Sequence, residues 1–226
     1  MGIYIIFFLI AGITYFVQNS FQSKFKRYSQ IALGSYMTGK DVALKMLHDN
    51  GIYDVTVQCT SGMLTDHYNP TNKTVNLSEG VYASNSIAAA AVAAHECGHA
   101  VQHATHYAPL SLRSALVPVV SFASTWVQWI LLLGILLVQA VPQVLMLGIV
   151  LFAATTLFSF ITLPVEINAS ARALSWLKQT GITNGQHADY AKDALKSAAY
   201  TYVVAALSSL ATLFYYVMIL LGRQRD

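Results

Sequence analysis

Apolar residues in this chain fall mostly in unbroken runs rather than in alternation with polar ones. Four runs carry no charge. The first, Ile3 to Val17, is short and rich in aromatics. The second extends from about Ala115 to Val138 and the third from about Val141 to Leu163. Gln139 to Pro142 reads as a tight turn that folds these two into a helical hairpin. The fourth extends from about Ala199 to Leu221. Each is near the ~20 residues that carry a helix across a bilayer, so the pattern predicts four transmembrane helices. A cleaved signal peptide is the competing reading of the first run. Against it, the basic residues Lys24, Lys26 and Arg27 follow the run instead of preceding it, and no small-residue cleavage site is obvious.

Between the first and second runs, over about residues 20–112, the pattern changes to that of a small α+β insert. Thr38 is placed to cap a helix from about Lys40 to His48, where Val42, Met46 and Leu47 supply apolar positions and Gly51 a stop. Val55-Thr56-Val57 reads as a strand. Asp66 to Lys73 has the composition of a turn, and Thr74 to Leu77 alternates as a second strand should. A last helix starts after Asn85 or Ser86, crosses an alanine-rich stretch and runs to about Thr105. A strand just before that helix can offer its edge to an extended peptide. The fold class expected is a mainly α membrane protein with this insert between its first two spans, all in one domain over residues 1–226.

Composition agrees with a membrane location. Charged residues make up 10% of the chain, against about 25% in soluble proteins, and mean hydropathy is +0.51. The lipid bilayer is therefore an expected partner. A net charge of +3 without an arginine-rich cluster gives no footprint for nucleic acid. Cys59 and Cys97 form neither a C-x-x-C nor a disulfide framework. Lys24, Lys26, Arg27, Arg113, Arg172, Lys178, Lys192 and Lys196 all fall on one side of the predicted spans, which places that side in the cytoplasm. Only Arg223 and Arg225 dissent.

The candidate chemistry lies on the last helix of the insert, in His95-Glu96-Cys97-Gly98-His99. In H-E-x-x-H on a helix, positions i and i+4 share one face. His95 and His99 can then hold one zinc ion, with Glu96 beside it to handle a water. Catalytic zinc needs a third protein ligand and an open position. His103 lies roughly 12 Å from His95 along a straight helix at ~1.5 Å per residue, too far for one metal to reach both. Glu79, Asp66 and Asp54 precede the helix. Glu166 stands apart, as the sole acid between Glu96 and Asp189. It follows the third span, which brings it back to the side of His95 and His99, and an ionisable group at a span edge suggests function. Glu166 is the preferred third ligand. With zinc lowering the pKa of a water, Glu96 is the expected general base and then acid. Tyr202, Asn168 and Arg172 are candidate donors to a developing oxyanion. His48, His67 and His187 are isolated, and His103 and His106 read as helix-surface groups.

These stretches resemble the YugP-like membrane zinc metallopeptidases of bacteria. The resemblance spans most of the chain. It rests on the first run, Ser23 to Ser29, Asp66 to Pro70, Ser86 to Ala90, His95 to His103, and Leu163-Pro164-Val165-Glu166-Ile167-Asn168-Ala169-Ser170. The last stretch also resembles the E-x-x-A-D pattern of HtpX-type and CAAX-prenyl-type gluzincin proteases. There the glutamate is the third zinc ligand, which the resemblance assigns to Glu166. Ser170 stands where that pattern has Asp. The resemblance implies an endopeptidase with one Zn²⁺ and a polypeptide substrate, and the position of the site at the bilayer favours membrane-associated polypeptides.

Two other functions fit parts of the pattern. Di-iron fatty-acyl desaturases can carry an H-E-C-G-H box between spans, but they need about eight histidines, some in H-x-x-H-H boxes. This chain has seven histidines and no H-x-x-H-H. A membrane scaffold or assembly factor with a structural or vestigial zinc site is the non-enzymatic alternative.

Overall fold

A computed structural model describes the backbone over residues 2–222 and the side chains over residues 7–222. The order of elements is α1 (Gly2–Tyr28), α2 (Gly39–Asp49), β1 (Thr56–Thr60), β2 (His67–Asn69), β3 (Thr74–Ser78), α3 (Glu79–Tyr82), α4 (Ile87–Ala104), α5 (Ala108–Leu136), α6 (Pro142–Gln179) and α7 (Gln186–Gly222). The chain divides into two compact units. One comprises the described parts of Met1–Tyr15, Ser111–Leu163 and Tyr202–Asp226, the other Phe16–Leu110 and Pro164–Thr201.

The first unit holds the apolar runs. Among the described residues, three helices are long and apolar enough to cross a membrane, namely α5, α6 and α7. The apolar pattern predicts four spans. The first of them, Ile3 to Val17, falls in α1, where the side chains of residues 1–6 lie outside the described residues, as do Arg223 and Arg225. Phe122, Trp126, Trp129 and Phe214 are exposed, which suits a surface that faces lipid. Where the helices meet, they do so closely. A Cβ on Gly134 of α5 would lie 2.6 Å from the Cα of Leu145 in α6, the kind of approach that small residues permit between spans. Val127, Leu131 and Leu145 are buried beside it, and Thr156 and Ser209 share a hydroxyl–hydroxyl bond of 2.7 Å between α6 and α7.

The second unit is built on a three-stranded sheet in the order β1–β3–β2. β1 runs parallel to β3, with Thr56 opposite Thr74 and Thr60 opposite Ser78. β2 runs antiparallel to β3, with Tyr68 opposite Val75. Two expectations are corrected here. Asp66 to Lys73 is not all turn, because its residues 67–69 form β2. The Asp66 carboxylate accepts from both the N–H (2.7 Å) and the hydroxyl of Ser78, which pins the start of this segment beside the end of β3. The strand before the metal-motif helix is also not an edge. β3 is central, and the edges belong to β1 and β2.

Local signals set the helices of this unit. Thr38 caps α2 in a capping box with Asp41. Gly51 follows its end at φ +72°, a backbone region that glycine enters without strain. Ser86 caps α4 by accepting from the Ala89 N–H at 3.2 Å. Ala88–91, Ala93 and Ala94 are all buried, so α4 passes through the centre of the unit with a slim, apolar surface. Around it lie Val42, Met46 and Leu47 of α2, Val75 and Leu77 of β3, and Trp176 and Leu177 of α6. Burial of each such aliphatic side chain is worth about 1.5–3 kcal/mol.

α6 continues past Leu163 to Gln179, and α7 begins at Gln186, well before Ala199. The polar end of α6 buries Val165, Ala169, Ala173 and Leu177, a stripe at four-residue spacing that faces this core. Trp176 also donates from Nε1 to Asp49 at the end of α2, at 3.0 Å. At the base of α7, Asp193 accepts from Lys24 and from the Tyr28 hydroxyl, both at 2.7 Å, and Tyr28 stacks on Tyr190.

Candidate metal centre

One turn of α4 separates His95 from His99, so both rings project from the same face. Their centroids lie 4.8 Å apart, nearly at right angles. Glu166 enters from α6, one residue after Val165 of the buried stripe. Its Oε2 lies 3.2 Å from His95 Nε2 and 3.5 Å from His99 Nε2. Donor atoms of all three residues fall within 4.8 Å of one another. Two imidazoles and one carboxylate form a donor set typical of catalytic zinc. Ligands about 2.0–2.2 Å from a tetrahedral zinc lie roughly 3.3–3.5 Å from each other, which the two nitrogen–oxygen distances match. The residues fit the metal in chemistry, and the carboxylate lies at ligand spacing from both imidazoles.

Burial and charge favour a cation at this point. The His99 side chain is 8% exposed and that of Glu166 4%. Burial opposes a positive charge on His99, but the bond to Glu166 and the charge of Glu96 outweigh it and raise its pKa. Burial likewise opposes a charged Glu166. The bonds to His95 and His99 overcome that and hold its carboxyl well below the usual range.

Both ring nitrogens that face away from Glu166 have partners. His95 Nδ1 lies 3.0 Å from the Ser170 hydroxyl, and His99 Nδ1 lies 3.0 Å from Gln102 Oε1. Gln102 Nε2 donates to the Val165 carbonyl at 2.8 Å and to Asn168 Oδ1 at 3.0 Å. Arg172 Nε also donates to Asn168 Oδ1, at 2.8 Å, and its guanidinium lies over the Tyr107 ring.

Glu96 is buried. Its Oε2 accepts from the Tyr68 N–H of β2 at 3.0 Å. The Tyr68 hydroxyl lies 2.7 Å from His103 Nδ1, so His103 is engaged with the sheet. Tyr202 belongs to the other unit, as the first residue of the segment of α7 placed there. Asp66 is occupied with Ser78 and Asp54 pairs with Lys73.

A family described as "Putative neutral zinc metallopeptidase" matches residues 3–221. The chain belongs to this family. It is also similar to a protein of Bacillus subtilis (strain 168) named "Putative membrane protease YugP". The two are 44% identical over 224 residues, which cover 98% of this chain and 99% of that relative. No solved structure matches the chain. Family and relative together support a protease function and imply zinc, and the apolar helices α5–α7 support a membrane protein.

Two residues of the chain gain importance only in the structure. Gly98 and Gln102 carry no motif role of their own. Gly98 had a signal in sequence, since a glycine inside a helix costs about 1 kcal/mol relative to alanine and here interrupts an alanine-rich stretch. For Gln102 the signal was a polar residue one turn after His99, on the metal face.

Proposed function

We propose that the chain is a zinc-dependent endopeptidase that cuts membrane-associated polypeptides, with one zinc held by His95, His99 and Glu166. The observation that carries this reading is the convergence of two histidines, one turn apart, on a single carboxylate oxygen of Glu166. Zinc bound there would supply an acidified water and a Lewis acid for the peptide carbonyl. Glu96, next to His95, takes a proton from the attacking water and returns it to the leaving amine. The Tyr68 N–H holds one oxygen of Glu96 before substrate arrives. Asn168 and Arg172 are the proposed donors to the oxyanion.

Substrate access follows from the sheet. β2 is the edge strand that touches Glu96, so an extended segment of substrate would run along β2. The distribution of basic residues turns the site toward the cytoplasm. Glu96→Gln tests the reading. The glutamine can still accept from the Tyr68 N–H but cannot serve as a base. It should keep the zinc and lower polypeptide cleavage by about 10²–10⁴. Proteomics of membranes carrying wild type or Glu96→Gln should show full-length substrates accumulating with the variant. Equal cleavage by both would remove Glu96 from the chemistry.

A further inference from the structure

Gln102 is fully buried in α4, and the chemistry above leaves it without a task. Its hydrogen bonds assign one. The Val165 carbonyl can only accept, so the Gln102 atom 2.8 Å away must be the amide nitrogen. The second amide hydrogen goes to Asn168 Oδ1. That atom is itself fixed as an oxygen, because Arg172 Nε, which can only donate, points at it. The Gln102 oxygen is therefore the atom 3.0 Å from His99 Nδ1. Two acceptors cannot bond, so Nδ1 carries a hydrogen, and in the neutral ring the Nε2 lone pair is left for a cation.

His95 is under no such constraint. Its Nδ1 faces the Ser170 hydroxyl, which can donate or accept and so enforces nothing. The carbonyl that anchors Gln102 belongs to Val165, the residue before Glu166. One amide thus links the ring of His99 to the turn of α6 that carries the carboxylate. We propose that Gln102 is a positioning residue that fixes His99 as the Nδ1–H tautomer and registers that ring against the Glu166 turn. It does so with a neutral oxygen rather than a carboxylate. The proposal rests on His95, His99 and Glu166 being the zinc ligands.

The test uses the full chain and two readouts. Zinc affinity is measured by competition with a chromogenic chelator, and thermal unfolding is followed on the metal-stripped protein. Q102M is apolar and of similar length, and it removes the acceptor and both donors. Q102E keeps the acceptor for His99 Nδ1–H but loses the donors to Val165 and Asn168. Both variants should lower the melting temperature. Q102M should weaken zinc binding by about 10–100-fold, the usual cost of losing a partner behind a metal ligand. Q102E should hold zinc at least as tightly as wild type.

A merely structural role would make affinity follow stability, so both variants would weaken alike. That result overturns the proposal, as does wild-type affinity in Q102M. Should Q102M fail to fold, Q102E decides alone, and an affinity more than about tenfold below wild type overturns it. H99A separates the two levels. Zinc lost in H99A but unchanged in Q102M sinks only the role of Gln102. Zinc unchanged in H99A sinks the ligand set as well.

Discussion

Gly98 of α4 lies against the backbone of Ala169 in α6, so close that a Cβ on Gly98 would stand 2.6 Å from the Ala169 carbonyl oxygen. Gly98 sits between His95 and His99, and Ala169 sits between Glu166 and Ser170. The two helices therefore touch backbone to backbone at the level of the metal centre. A single hydrogen in place of a side chain sets how near Glu166 comes to the two imidazoles.

Gly98→Ala should then act on the site and not only on the helix. Alanine suits a helix better than glycine by about 1 kcal/mol, but the forced separation costs about 1–3 kcal/mol. The expected outcome is a lower melting temperature together with weaker zinc binding, read by chelator competition. A more stable variant with wild-type zinc affinity would show that the contact has slack.

Ser170 offers a change in the other direction. A carboxylate behind a metal-bound imidazole raises its basicity. Ser170→Asp would place one within reach of His95 Nδ1, where the hydroxyl now lies at 3.0 Å. Zinc affinity should rise by about 10-fold or more, measured in the same competition assay. Unchanged or weaker binding would mean that burying the new charge cancels the gain.

Much of the second unit could be read from the chain because its signals are local. Thr38 with Asp41, and Ser86 before the alanines, mark the starts of α2 and α4 within a residue or two. The segment forming β2 escaped notice because three residues, paired on one side only, carry turn composition. The extended ends of α6 and α7 escaped because they bury a narrow stripe and show no apolar run. The pairing of Glu166 with the histidines was foreseeable from its isolation between apolar runs. The contacts of Gly98 and Gln102, and the bond of Asn168 to Gln102, were not, since each joins residues some 63 to 71 positions apart in sequence.

The junction of α1 and α7 gives a test at high pH. Burial, aided by the Asp193 charge, pushes the pKa of Tyr28 up to about 12. In the unfolded chain it lies near 10. The folded state thus holds this proton more tightly. The associated stability is fully present below about pH 10 and is lost as pH rises toward 12. The unfolding midpoint of wild type should fall across that window more steeply than that of Tyr28→Phe. Parallel curves would place the titration elsewhere.

The most direct test is the zinc affinity of Glu166→Gln beside wild type, each stripped of metal and reloaded against a competing chelator. Glutamine keeps the volume but not the charge that His95 and His99 surround. The expected result is one zinc per wild-type chain and an affinity at least about 100-fold weaker in the variant. Zinc held equally tightly by Glu166→Gln would contradict a site completed by the carboxylate of α6.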